Sequence, residues 1–284
     1  MVFGYANAIL IFCTMNYHIA QPSEKLKLYI KQYWALDNIL KQGEQYTQRI
    51  IPSGLPELIL YLDHKPEAFT NNRLLEDNFL LNGQQNDYYD ILISKNLSVF
   101  SVLFQPQGLS QFFPLPLNEL LNINVPLKYL NKKLYAELEA KLSFTKSFQE
   151  KIIVVEECFT KLLNDNKRNF EFQRISNTIE LIKKAKGNIE IEQLAFNACL
   201  SRKQFERTFS EYIGISPKQY LKTIRLQASI YLKSKNKNLS LTALAYENGY
   251  YDQSHFINDF KIMTGLTPKQ FFNDCELPMS DFFE

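Results

Sequence analysis

The heptapeptide GISPKQY, Gly214 to Tyr220, returns as GLTPKQF at Gly265 to Phe271, 51 residues later. The chain before each copy aligns as well. Leu194 and Ala195 match Leu244 and Ala245 at an offset of 50, and Phe209 matches Phe260 at an offset of 51. One residue is therefore inserted in the second copy, and the spacing puts it in a turn, where Gly249 appears. Self-similarity at a fixed period predicts one supersecondary unit built twice.

Each copy reads with the same physical grammar. A short apolar-periodic helix carries a small residue, Ala195 or Ala245, that lets a second helix cross closely. After a turn, that second helix places Phe205 and Phe209, or Phe256 and Phe260, four residues apart on one inward face. Gly214 and Gly265 are expected to end it in left-handed caps. Ser216-Pro217 and Thr267-Pro268 then restart a helix, with a hydroxyl cap and proline in the first turn. Ser201 is the expected N-cap where the first copy's turn, Ala198 to Ser201, lacks the second copy's glycine. The expected units are a first helix-turn-helix at about 189–213, a joining helix at about 217–234 and a second helix-turn-helix at about 240–264.

On these residues, with RLQAS at Arg225 to Ser229 and GYYDQSHFINDFKIMTGLTPKQF from Gly249 to Phe271, the block resembles the DNA-binding domain of AraC-family bacterial transcription regulators. The resemblance covers about 100 residues from Arg174 onward. It implies double-stranded DNA as partner and no cofactor, with a homodimer and RNA polymerase as further expected partners. Helical geometry fixes the face opposite the phenylalanines: Arg202, Lys203, Glu206, Arg207 and Ser210 in one copy, Gln253, Ser254, Ile257, Asn258 and Lys261 in the other. By analogy with the family, Lys203, Glu206, Arg207, Ser254 and Asn258 are expected nearest the bases. Arg202, Gln253 and Lys261, near the ends of the exposed faces, are expected on phosphates. The sequence departs from the family at Asn258, where many members carry Arg. His255 is either a contact to the duplex or a packing residue.

The N-terminal half has a different texture. Seven of the eleven prolines fall between Pro52 and Pro126, and interior prolines argue for short strands and turns. RIIPSGLPELILYL gives two apolar runs around Ser53-Gly54, and NFLLNGQQNDYYDILI two more around Asn82-Gly83, an expected hairpin turn. LSVFSVLF reads as a further strand. From Lys132 to Asn164 steps of three and four take over, through Leu134, Leu138, Leu142, Ile152, Val155, Phe159, Leu162 and Leu163. That stripe either closes the N-terminal core or pairs two copies. Trp34 and its aromatic neighbours either fill the core or line a ligand pocket. QRIIPSGLPELILYL, FLLNGQQNDYY and LFQPQGLSQFF resemble the sensor domain of some family members. This implies a β-barrel-like effector module and a small-molecule effector as candidate partner, with ligand-binding residues unassigned. The expected fold class is α+β: residues 21–165 as an N-terminal sensor or dimerisation domain with trailing helices, a polar linker at Asn164 to Asn169, and residues 166–284 as an all-α domain of two helix-turn-helix motifs. Residues 1–20 read as a leader or first strand, with Met15 an alternative start. The apolar run Ala8 to Cys13 is too short to span a bilayer, so the expectation is a cytoplasmic protein.

Charge is local. From Arg174 to Phe271 there are 15 Lys+Arg against 8 Asp+Glu, a net of +7, although the whole chain carries only +2; residues 272–284 hold four acids and no base. A basic block in a neutral chain fits a polyanion partner. A sequence-indifferent architectural DNA protein would need no more than that charge, but mixed Glu, Ser and Asn on the exposed faces favour base reading. Cys13, Cys158, Cys199 and Cys275 are scattered without a CxxC and read as buried small hydrophobes in a reducing compartment. With only His18, His64 and His255 besides, no metal site or metal-dependent enzyme is expected.

Overall fold

A computed structural model describes residues 15–41, 43–68, 75–164, 170–274 and 282–283. The run Ala8 to Cys13 and the linker beyond Asn164 lie outside the described residues. The architecture is α+β, with a sheet-rich N-terminal half and a helical C-terminal half.

Among the described residues, nine strands build the N-terminal half: β1 (Met15–Ala20), β2 (Ile30–Asn38), β3 (Tyr46–Ile50), β4 (Glu57–Tyr61), β5 (Glu67–Ala68), β6 (Phe79–Asn82), β7 (Tyr89–Ile93), β8 (Leu97–Phe104) and β9 (Asn124–Pro126). One antiparallel sheet runs β1-β2-β8-β4-β6-β9 and a second runs β3-β7-β5. Side chains alternate between sheet faces with a period of two. Tyr33, Leu58, Leu60, Leu81, Phe100, Val102 and Phe104 of the large sheet join a core against helices. Their neighbours Trp34, Leu36, Ile59, Tyr61, Leu80 and Val99 join a second core, with Tyr89, Ile91 and Ile93 of the small sheet. The large sheet is thus covered on both faces, which explains the near-unbroken apolar run LSVFSVLF.

The hairpin expected at Asn82-Gly83 does not form. β6 pairs with β4 and β9, and β7 with β3 and β5, so residues 83–88 cross between sheets. Gly83 is not among the left-handed glycines; a Cβ there would lie 2.2 Å from the Leu120 carbonyl oxygen. Glycine serves close backbone approach at this position rather than a primed turn.

Helix α1 (Leu127–Leu130) leads into α2 (Lys132–Leu142) and α3 (Phe148–Asn164). Leu134, Leu138, Leu142, Ile152, Val155 and Phe159 are buried against the large sheet, and Leu162 and Leu163 pack beside them. The stripe therefore closes the N-terminal core. Lys141 and Lys161 both reach Glu137, at 2.9 and 2.6 Å, and those two ammonium groups hold its carboxyl at about 2, below the usual range. Cys158 is buried here, which raises its thiol pKa to about 11.

The C-terminal half runs α4 (Phe170–Lys184), α5 (Ile191–Asn197), α6 (Arg202–Ile213), α7 (Pro217–Lys235), α8 (Leu241–Glu247), α9 (Gln253–Thr264) and α10 (Pro268–Asp274). Two cores serve the two copies, one around Phe205, Phe209 and Tyr220 and one around Phe256, Phe260 and Phe271. Each also takes in N-terminal residues, Leu55 and Leu103 in the first and Ile51 in the second. No helix among the described residues is long and apolar enough to cross a membrane.

Candidate nucleic-acid interface

The two copies are built from matching parts. Ser201 caps α6 through the Gln204 amide, and Gln204 returns the bond in a capping box; Asp252 caps α9 through the His255 amide at 2.8 Å. Gly214 (φ +97°) and Gly265 (φ +73°) end these helices in the left-handed region. Ser216 caps α7 with Pro217 in its first turn. Ala195, Phe205 and Phe209, with Ala245, Phe256 and Phe260, are all buried, and within each copy the two phenyl rings sit 5.5 and 5.6 Å apart.

The turns differ from the expected alignment. Cys199 (φ +52°) stands where Gly249 (φ +73°) stands, and in both copies the next amide returns to the alanine carbonyl, Leu200 to Ala195 at 3.0 Å and Tyr250 to Ala245 at 3.1 Å. The extra residue of the second copy is Tyr251, which is 89% exposed. Cys199 is exposed rather than buried, because a tight αL position at the surface, not a core, dictates its place. A side chain there is strained. Cys199→Gly is expected to raise stability by about 0.5–1 kcal/mol, the relieved strain exceeding the chain entropy that glycine adds. Urea unfolding of the two proteins checks it.

The predicted contact residues emerge on two open helical ridges. Lys203 and Arg207 are exposed on α6, with Glu206 partly so; Ser254, Asn258 and Lys261 are exposed on α9. Two of the expected phosphate contacts carry internal partners at equivalent positions. The Arg202 guanidinium reaches both Glu206, at 3.0 Å, and Glu192 at the start of α5. Its hydrogen bond to Glu206 and the charge of Glu192 raise its pKa further. Gln253 accepts a 2.7 Å hydrogen bond from Thr242 at the start of α8. Arg207 lies 3.9 Å from Glu211, an exposed pair of little energetic weight. His255 stands edge-on to Tyr250 at 5.3 Å and lies 3.7 Å from the Asp259 carboxylate.

Sequence reading missed the groups that fix the pose of α9. Asp259, 4% exposed, faces inward from α9 and takes a 2.8 Å ion pair from Lys222 of α7. Arg225 donates to the Gly187 carbonyl and lies over the Tyr250 ring at 5.3 Å. Burial raises the Tyr250 hydroxyl pKa, against the lowering effect of Arg225. The signal was present in the polar letters of the joining helix, which cannot all point to solvent when both ends of that helix are flanked by packed units.

The N-terminal half grips the helix ends. The backbone of Leu117 and the side chain of Gln84 pack on Gly214. Arg49 forms a two-pronged pair with Asp90, both bonds 2.7 Å, and donates to the Thr264 carbonyl at the end of α9 at 3.1 Å. Tyr88 stacks on Arg49 at 4.1 Å. Gln227 of α7 donates to the Pro52 carbonyl at 2.7 Å. Between the sheets, bordering the segment that makes this contact, lies a cavity of about 40 Å³ with Glu57, Tyr61, Asn82, Gln84 and Tyr89 in its wall. Trp34 is core, and its indole donates to Glu57 at 2.7 Å. Among the described residues no cluster of three His, Cys, Asp or Glu could hold a metal ion.

These features define a double helix-turn-helix domain, docked on a two-sheet domain. Comparison with known proteins refines that class. Residues 194–274 match the model of a helix-turn-helix domain, and residues 18–126 match a domain of unknown function, DUF6597. An uncharacterized HTH-type transcriptional regulator of Haemophilus influenzae is 37% identical over 93 residues, 33% of this chain and 31% of that protein. The arabinose operon regulatory protein of Escherichia coli is 28% identical over 97 residues, 34% of this chain and 33% of that protein. The chain thus spans about a third of the length of these curated relatives. The crystal structure of ToxT from Vibrio cholerae aligns over 93% of this chain and 99% of that one, with 12% identity and a TM-score of 0.45.

Proposed function

We propose that the protein is a sequence-specific transcription regulator that inserts α6 and α9 into successive major-groove segments of one duplex. One observation carries this reading: two capped helices expose polar ridges while their buried phenylalanines join two cores that share one joining helix, through Tyr220, Leu221 and Ile224 in the first and Leu226 and Ile230 in the second. At 1.5 Å per residue the 19 residues of α7 extend about 28 Å, close to the ~34 Å of one DNA turn. A major groove admits one α-helix. Lys203, Glu206, Arg207, Ser254 and Asn258 read base edges on this model, and Arg202, Gln253 and Lys261 hold phosphates. Arg202 exchanges its carboxylate partners for phosphate as it binds. An effector acts from the N-terminal sheets. The cavity between them has room for a few waters only, so a larger molecule enters by moving the 50–55 segment that also touches α7. A homodimer forms through a surface other than the α2–α3 stripe, and RNA polymerase is the partner of the assembled complex.

Binding measured against the site selected from genomic fragments tests this. Arg207→Ala is expected to cost about 1–3 kcal/mol and to relax base choice at one position. Lys261→Ala should weaken every sequence alike and flatten the salt slope by about one unit. An unchanged ratio of specific to random binding in Arg207→Ala removes that residue from base reading.

A further inference from the structure

Phe282 and Phe283 lie eight and nine residues beyond the last residue of α10, yet Phe282 is only 4% exposed. Its ring packs edge-on to Tyr220 of α7 at 6.4 Å, and it belongs to the cluster that holds Leu55 and Leu103 of the N-terminal half. The floor of this slot is Gly54. A Cβ there would lie in ordinary contact with Phe282 at 3.6 Å and press on Ile224 of α7 at 3.0 Å, so Gly54 sits against the ring and α7 at once. Phe283 continues the contact, 5.1 Å from Phe282 and 5.9 Å from Tyr231 of α7. One aromatic pair thus touches both domains. In sequence, the segment 272–284 carries four acids and no base, and residues 174–271 carry a net +7.

We propose that the crevice between Gly54, Leu55, Leu103 and the Tyr220–Tyr231 face of α7 is a recognition site for a paired aromatic peptide. Phe282-Phe283 fills it in cis as a latch that fastens the helix-turn-helix domain to the N-terminal sheets. Other contacts of both units do not pass through these rings: Phe205 and Phe209 pack on each other and Phe209 on Tyr220, and the large sheet packs on α2 and α3 by one face and on the small sheet by the other. Losing the latch therefore loosens docking rather than folding. Gly54 and Leu55 also line the cavity between the sheets, which puts the latch on the reverse of that wall. The inference needs no DNA and stands apart from the regulator reading.

The test uses a protein ending at Asp274 and a peptide of residues 276–284, followed by amide hydrogen exchange without DNA. The shortened protein is expected to exchange about tenfold faster in residues 50–56 and the first turns of α7, with α2 and α3 unchanged. The peptide should restore protection, and the same peptide with Phe282→Ala should not. Full-length Phe282→Ala gives the same reading where the shortened protein fails to fold. Equal exchange with and without the segment, equal rescue by both peptides, or loss of protection throughout the molecule would each overturn the proposal. Protection in the full chain that rises with protein concentration would overturn filling in cis, because the segment would then come from a second copy.

Discussion

Phe209→Ala is expected to destabilise the protein by about 3–5 kcal/mol, the cost of turning a buried phenyl ring into a cavity. Phe209 has no exposed surface. Its ring lies 5.5 Å from Phe205 on its own helix and 5.5 Å from Tyr220 on α7. The cavity would open where α6, α7 and the N-terminal Leu55 and Leu103 converge, and helices braced on three sides cannot collapse to fill it. Equilibrium unfolding in urea reads the loss directly. Lys203→Ala, six residues earlier but on the exposed ridge, should stay within about 0.5 kcal/mol. A Phe209→Ala loss as small as that of Lys203→Ala would place the ring outside the core and reverse the assignment of the two helix faces.

Arg49→Ala is expected to cost a comparable amount, about 3–5 kcal/mol, for a different reason. Removing one partner of a buried ion pair strands the other. Arg49 and Asp90 side chains are 14% and 9% exposed, and their two 2.7 Å bonds run in parallel, the strong fork geometry of guanidinium and carboxylate. The same substitution takes a donor from the Thr264 carbonyl at the negative end of α9. Replacing both partners by apolar residues, Arg49→Met with Asp90→Leu, should recover much of the loss, since no charge is then left buried. If the double variant is as unstable as the single one, packing of the Arg49 stem on Tyr88 rather than charge accounts for the effect.

The helical half was readable because its signals are local. Capping Ser201 and Ser216, left-handed Gly214 and Gly265, and phenylalanines four apart each act within a few residues. The repeat supplied a second reading of every element. The N-terminal half was readable as strands but not as sheets. Asn82-Gly83 has the letters of a tight turn, and only the backbone of Leu120, a sequence-distant neighbour, explains why glycine is needed there for another purpose. The inserted residue was misplaced for a similar reason: Cys199 takes a conformation that its letter disfavours, so the eye seeks the gap at the glycine instead. Lys222 with Asp259 and Arg49 with Asp90 are pairs 37 and 41 residues apart, and nothing in composition or period links such partners.

The N-terminal half holds the rear ends of α6 and α9 and leaves their polar ridges bare. Under the proposed function, an N-terminal half arranged this way does not shield those faces from a duplex; it acts on their aim. On that account, general adhesion to any duplex should persist in every state of the sensor. An effector acting as proposed changes the ratio between the preferred address and random sequence, so a titration against random DNA alone would miss the switch altogether.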